Sequence, residues 1–283
     1  MSEPAPMAEG TPIVAVRDLV KEFDRGRGEE PLRAVDGVSF TIARGETLGL
    51  VGESGSGKST VARCLLRLTT ASGGEITFDG HDMRATGDAE LRRIRGKMQA
   101  VFQDPHGSLN RSHRVGDILQ APLAAHGIGD RKSRRARAAE LLEMVGLGPA
   151  MLDRRPVELS GGQAQRVAIG RALALSPKLI VLDEAVSALD VSVRAQILNL
   201  LRDLQRDLEL TYLFISHDLA VIRYMSHTVS VMRGGVIVEQ GSRESLFAAP
   251  RHEYTRSLME AVPVADPPFE RERIRAALAQ AAG

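Results

Sequence analysis

The sequence predicts an α/β fold, a mainly parallel sheet covered by helices, with a helical block inserted midway. Three observations carry that expectation. The glycine-rich run Gly52-Glu53-Ser54-Gly55-Ser56-Gly57-Lys58-Ser59-Thr60 follows the apolar stretch Thr47–Val51 and precedes Val61–Leu66, which is strand, tight loop and helix in order. A second apolar run, Leu179–Leu182, closes on two carboxylates, Asp183 and Glu184. Between the two, from about Val115 to Leu175, apolar residues recur at helical spacing and no strong strand signal interrupts them. Strands alternating with helices imply a parallel sheet with helices on its faces.

The elements follow in order. Ile13–Val16 reads as a first strand, and the polar, glycine-rich stretch Asp24–Pro31 as a loop. Val38–Ile42 alternates apolar and polar residues, the mark of a half-buried strand. Gly74–Phe78 is a strand entering a turn at Asp79-Gly80, and Met98–Phe102 is another short strand. In the inserted block Val115, Ile118, Leu119 and Leu123 share one helix face, as do Ala138, Leu141, Leu142 and Val145 ahead of Gly146. Strands return at Leu179–Leu182 and Tyr212–Ile215. Between them Ile197, Leu200, Leu201, Leu204 and Leu208 form a stripe that packs a helix onto the sheet. His227–Arg233 and Val236–Val238 flank Gly234-Gly235 as a hairpin. Pro250, Pro263, Pro267 and Pro268 punctuate the tail, where Ile274, Ala277 and Leu278 suit a short amphipathic helix. There is no internal repeat.

Bulk composition narrows the function classes. A chain of 283 residues suits one large domain or two modest ones, and a net charge of +1 gives no broad drive toward nucleic acid. The single cysteine, Cys64, excludes an intrachain disulfide or an all-cysteine metal site. It suits a cytosolic setting and reads as a packing residue rather than a reactive thiol. No stretch approaches the roughly 18 apolar residues of a membrane span. The first ten residues lack the basic and apolar regions of a secretory signal and read as part of a loose tail over 1–11. A membrane role would therefore work through a partner. The basic runs Arg92–Arg95 and Arg131–Arg137 read as solvated helix faces, with anionic lipid or a membrane partner as the functional alternative.

The chemistry starts at the glycine-rich loop. Backbone N–H groups around Gly52, Ser54, Gly55, Ser56, Gly57 and Thr60 can turn inward toward an anion at a helix N-terminus. Lys58 adds charge for β- and γ-phosphates, and the Ser59 hydroxyl suits Mg²⁺. Asp183, at the carboxyl end of its strand, can reach the same ion directly or through water, and Glu184 can polarise a water for attack. Gln103 ends its own strand and can ligate Mg²⁺, orient that water or be a plain loop residue. His217 follows a strand end and reads either as a γ-phosphate contact or as a surface or capping residue; the other six histidines read as structural. Leu159-Ser160-Gly161-Gly162-Gln163 opens a helical stretch and forms a second anion site. One ATP cannot easily use two cradles in one subunit, so the second is expected to close on the ATP of another.

In that order (phosphate loop, Gln103, Leu159–Gln163, Asp183-Glu184, Ser187-Ala188-Leu189-Asp190, His217) the motifs resemble the ATPase subunit of ATP-binding-cassette (ABC) transporters, from about Ile13 to Pro263. The resemblance implies a P-loop nucleotide-binding domain over 12–248, with a mixed-sheet core, an N-terminal antiparallel β subdomain and an α-helical subdomain at about 104–176. It implies that Phe23, in the loop after the first strand, stacks on adenine. Ser160, Gly161, Gly162 and Gln163 would serve γ-phosphate in trans, Asp190 would communicate across the dimer, and Gln103 would lie near the coupling surface. Glu184, His217 and Gln103 would be catalytic. ATP and Mg²⁺ are the implied ligands, with Ser59, Gln103 and Asp183 at the metal.

Val101–Asn110, Asp183–Asp190 and His252–Leu258 resemble, more narrowly, the branch that imports oligopeptides, dipeptides, nickel or related solutes, which implies a C-terminal extension over 249–283. Glu253 stands where that branch's tail carries proline, and Arg111 where proline often follows the asparagine. Some relatives hold an iron–sulfur cluster on cysteines near the C-terminus; this tail has none, so no cluster is expected. The implied role is the motor of a multi-subunit importer, of oligopeptides or dipeptides first. The alternatives are nickel or another small solute, an exporter motor, or a soluble ABC ATPase of DNA repair or translation. A small kinase would share the phosphate loop without needing Leu159–Gln163. The implied partners are a second ABC ATPase subunit, as a heterodimer rather than a homodimer, two transmembrane permease subunits and an extracytoplasmic solute-binding protein, with no nucleic acid. The implied location is the cytoplasmic face of the cell membrane, peripheral and held by the permeases.

Overall fold

The structure, a computed structural model, describes residues 11–26 and 30–260. The expectations for the first ten residues and for the helix around Ile274, Ala277 and Leu278 lie outside the described residues. In chain order the elements are β1 (Val14–Phe23), β2 (Leu32–Ile42), β3 (Thr47–Val51), α1 (Lys58–Leu65), β4 (Gly73–Phe78), β5 (His81–Asp82), α2 (Asp88–Lys97) and β6 (Met98–Phe102). Then come α3 (Pro105–Ser108), α4 (Val115–Ala125), α5 (Arg131–Met144), α6 (Gly161–Leu173), β7 (Leu179–Asp183), α7 (Val191–Leu208) and β8 (Thr211–Ser216). The chain continues through α8 (Leu219–Met225), β9 (Thr228–Arg233), β10 (Val236–Ser242), α9 (Arg243–Ala248) and α10 (Glu253–Glu260).

Two sheets result. A six-stranded sheet has the order β10-β9-β3-β8-β7-β6, parallel throughout except for the β9–β10 hairpin. A four-stranded antiparallel sheet has the order β2-β1-β4-β5. The parallel strands are buried on both faces, and their side chains divide by the two-residue period of a strand. Leu179 and Val181 of β7, with Leu213 and Ile215 of β8, join a core with the antiparallel sheet and α1. Ile180 and Leu182, with Tyr212 and Phe214, join a core with α4 to α8. The sheet is thus the shared wall of two apolar clusters. Each fully buried Leu, Ile or Val contributes about 1.5–3 kcal/mol relative to exposure.

The described residues between β6 and β7 hold helices and short 3₁₀ turns but no strand. Val115, Ile118, Leu119 and Leu123 of α4 and Ala138, Leu141 and Leu142 of α5 are buried, as their spacing requires. In α7 the stripe needs one correction. Ile197, Leu201 and Leu204 are buried, but Leu208 is 42% exposed and Leu198 is buried instead. The last turn of α7 reaches the rim of a second cleft at the amino ends of the strands, beside Gly45, Lys178 and Thr211. Cys64 is 2% exposed in α1, and burial pushes its thiol pKa up, as a packing residue requires.

A buried carboxylate ties the two sheets together. Asp79, in the β4–β5 turn, accepts hydrogen bonds from Lys178 Nζ (2.8 Å), ahead of β7, from Lys97 Nζ (3.3 Å), at the end of α2, and from Arg44, between β2 and β3. Burial alone would raise its pKa; the bonds from Lys178 and Arg44, with the charge of Lys178, bring it down to about 2.

Candidate active site

The phosphate loop leaves β3 at Val51 and enters α1 at Lys58. Its glycines are set by space and backbone. A Cβ on Gly52 would lie 2.0 Å from the Met232 carbonyl oxygen, and one on Gly57 2.4 Å from that of Ala34. Gly57 also caps α1 at φ +103°, where an L side chain is strained. Only bare backbone passes here, so N–H groups can crowd around a ligand. Lys58 is 6% exposed. Its ammonium donates to the carbonyls of Gly52 (2.7 Å) and Glu53 (2.7 Å) and to Ser56 Oγ (3.3 Å). Burial lowers its pKa, against the pull of the Glu184, Asp183 and Glu53 carboxylates.

Asp183 ends β7 and accepts a hydrogen bond from Ser59 Oγ at 2.9 Å. Burial raises the Asp183 pKa and the nearby Glu184 charge adds to that; the Ser59 bond, Arg63 and Lys58 oppose it. A hydroxyl beside a carboxylate in a desolvated corner is an oxygen donor set of the kind that fits Mg²⁺. Glu184 follows in the left-handed region, φ +53°. Its N–H is held by the Ile215 carbonyl (3.0 Å), and its carbonyl accepts from Ser187 Oγ (2.9 Å). Glu184 Oε1 accepts from the His217 backbone N–H at 3.1 Å, and His217 Nδ1 lies 3.0 Å from Oε1 and 2.9 Å from Oε2. The His217 tautomer with its proton on Nδ1 donates to this carboxylate, which as an anion only accepts. His217 does not cap the next helix; Asp218 caps α8, accepting from Ala220 N–H at 2.9 Å.

These residues converge on an open cleft of about 750 Å³ at the carboxyl edge of the sheet. Phe23, Ser54, Gly55, Gly57, Lys58, Ser59, Thr60, Gln103, Glu184 and His217 line it. Gly52, Ser56 and Asp183 are buried beneath. Phe23 corrects the reading in one respect. It is the last residue of β1, paired with Leu32 across the hairpin, rather than part of the following loop. The residue is 39% exposed, with Lys21 Nζ 4.7 Å from the ring centroid.

Ser160–Gln163 and Asp190 do not line this cleft. Ser160 caps α6: its Oγ accepts from Gln163 N–H (3.3 Å), and Gln163 Oε1 accepts from Ser160 N–H (3.0 Å). Asp190 caps α7, accepting from Val193 N–H at 2.9 Å. A Cβ on Gly162 would lie 2.6 Å from a Val193 methyl, so the two helix starts are packed together.

Sequence reasoning missed four residues of this region: Leu32 and Ala34, which line the cleft from β2, Arg63, and Tyr254. Arg63 lines the cleft, and its place one helical turn beyond Ser59 could have found it. Tyr254 hydrogen-bonds the phosphate loop from the C-terminal segment, and no spacing rule links residues so far apart.

Against known proteins, the ABC transporter family model matches residues 35–187, and the model for the oligopeptide/dipeptide transporter C-terminal region matches 238–282. The chain is 52% identical over 272 residues to the glutathione import ATP-binding protein GsiA of Salmonella paratyphi A, and 51% over 270 residues to that of Escherichia coli K12. Each match covers 94% of this chain but only 44% and 43% of the relative, so the chain spans less than half the length of these curated proteins. Among solved structures it resembles the dimeric ATP-binding cassette MJ0796 in a post-hydrolysis state bound to ADP and Pi. That match has a TM-score of 0.73 at 32% identity and covers 81% of this chain and 98% of that one. It also resembles cbiO1 of Clostridium perfringens, part of the ABC transporter complex cbiONQ, with a TM-score of 0.77 at 26% identity, covering 93% and 98%.

Proposed function

The chain belongs to the ABC transporter family, and from that premise we propose that it is the ATP-hydrolysing motor of a multi-subunit importer of small peptides. The observation that carries the hydrolytic part is the cleft itself, where the phosphate loop, the Ser59–Asp183 pair and the Glu184–His217 pair meet. In this reading Lys58 exchanges its loop carbonyls for β- and γ-phosphate oxygens, which are stronger partners for an ammonium. Phe23 offers a ring for the adenine. Glu184 accepts a proton from the attacking water, and His217 fixes the direction of its carboxylate. Ser59, Asp183 and Gln103 are the residues that would hold Mg²⁺, which when bound neutralises phosphate charge.

The peptide part rests on the match of residues 238–282 and on relatives whose names describe glutathione import, glutathione being a small peptide. Residues 12–248 form the nucleotide-binding domain in this reading, and 249–283 the branch-specific extension. Ser160–Gln163 and Asp190, which do not line the chain's own cleft, serve the ATP of a second, homologous ATPase subunit in this reading. Two permeases and an extracytoplasmic solute-binding protein complete the machine and hold the chain at the inner face of the membrane. No helix among the described residues is long and apolar enough to cross a membrane, so attachment would come from those partners.

The test is affinity capture of the chain from gently solubilised native membranes, with partners identified by mass spectrometry. Two polytopic permeases, a second ATPase and a solute-binding protein are expected. Ribosomal or DNA-repair partners without a membrane protein would overturn the transport reading.

A further inference from the structure

The C-terminal segment reaches the phosphate loop. Backbone N–H groups of Arg251 and His252 donate to the Glu239 carboxylate at 2.8 and 3.0 Å, fastening the segment to β10. Tyr254 N–H then donates to His252 Nδ1 (3.1 Å), and the Arg256 guanidinium holds the Arg251 carbonyl (3.0 Å). Together these seat Tyr254 in the first turn of α10, 6% exposed, with the Arg233 guanidinium 4.8 Å from its ring centroid. A buried phenol needs a partner for its hydroxyl. Here the hydroxyl accepts the Glu53 N–H at 3.1 Å. The other end of that same peptide unit, the Gly52 carbonyl, accepts from Lys58 Nζ at 2.7 Å. The Gly52–Glu53 peptide is therefore held on both sides, by the loop's own lysine and by a residue 201 positions along the chain.

We propose that Tyr254 is a positioning residue of the phosphate loop, and that the C-terminal segment sets nucleotide affinity through it. The inference rests on the nucleotide reading above. When Lys58 turns to a phosphate, the peptide loses one of its two holds, and the Tyr254 hydroxyl is the one that remains. With it in place the loop keeps its inward N–H groups without being reordered by the ligand.

Tyr254→Phe removes the hydroxyl and keeps the ring, its contact with Arg233 and the helix. In the full nucleotide-free chain, amide hydrogen exchange at Glu53 should accelerate. ATP should bind about five-fold more weakly, the effect of losing one neutral hydrogen bond of about 1 kcal/mol. Glu239→Ala, which unfastens the segment without touching the phosphate loop, should weaken ATP binding in the same direction. Unchanged exchange at Glu53 would overturn the inference. So would a lowered unfolding midpoint with ATP affinity intact in both variants, the signature of a merely structural tyrosine. A wild-type chain that bound no ATP would overturn the nucleotide reading instead, while exchange at Glu53, read without ligand, tests the hold on its own.

Discussion

Glu184 and His217 show how much a residue's role depends on what it faces. In the sequence His217 is ambiguous between phosphate contact and helix cap; in the structure its ring and its backbone N–H both address the Glu184 carboxylate. Replacing Glu184 with Gln leaves a side chain of the same shape that cannot take a proton. Turnover, read as phosphate release, should fall at least about 100-fold while ATP still binds. A variant with the native rate would show that another group is the base. Lys58→Ala removes the only ammonium inside the loop and also frees the Gly52 and Glu53 carbonyls. ATP affinity, measured by calorimetry, should drop roughly 10- to 100-fold, as expected for a lost charge-assisted hydrogen bond of about 1.5–3 kcal/mol. Unaltered affinity would contradict the cradle.

Among the elements, the Asp79 turn has the clearest measurable consequence. Its folded pKa of about 2 lies below the ordinary aspartate value, so its stabilisation is complete above about pH 4 and is lost as pH falls toward 2. The contribution is roughly 1–2 kcal/mol once solvent screening of the three half-exposed cations is allowed for. Asp79→Asn should lower the denaturation midpoint at pH 7 and flatten the acid limb of the stability curve below pH 4. An unchanged acid limb would place that limb's origin elsewhere. The sheet-forming elements were the most legible in sequence. β3, β7 and β8 are short apolar runs ended by turn or polar residues, and each is buried along its whole length. The parts missed have physical reasons. α2, legible only as the solvated helix face at Arg92–Arg95, buries just Leu91, Ile94 and Gly96, too narrow a stripe for its extent to register as periodicity. The outer half of β1, Lys21-Glu22-Phe23, is half-exposed and held by its pairing with β2, which local pattern does not encode. The Asp79 hub and the Tyr254–Glu53 bond join distant segments, so only the folded chain reveals them.

At the scale of the whole molecule, Ser160–Gln163 does not line the chain's own cleft, and the function proposed above assigns it to a neighbour's nucleotide. In a Glu184→Gln background, where ATP is kept, Mg·ATP should pair the chain with itself or with its partner ATPase, seen as a rise in mass by light scattering. Adding Ser160→Arg should abolish that pairing and leave ATP affinity of the single chain within about two-fold, since Ser160 does not line the resident cleft. Pairing that survives Ser160→Arg would sink the trans assignment. The buried sulfur in α1 offers a direct way to watch the same event. Cys64 is the only thiol in the sequence, and burial both shields it and raises its pKa, so maleimide or nitroxide reagents have almost nothing native to modify. A cysteine placed at Val157, which is 66% exposed, would be the single labelled position on each copy of this chain. A spin-label distance across the pair could then be followed through the ATP cycle without first stripping the chain of its own cysteine.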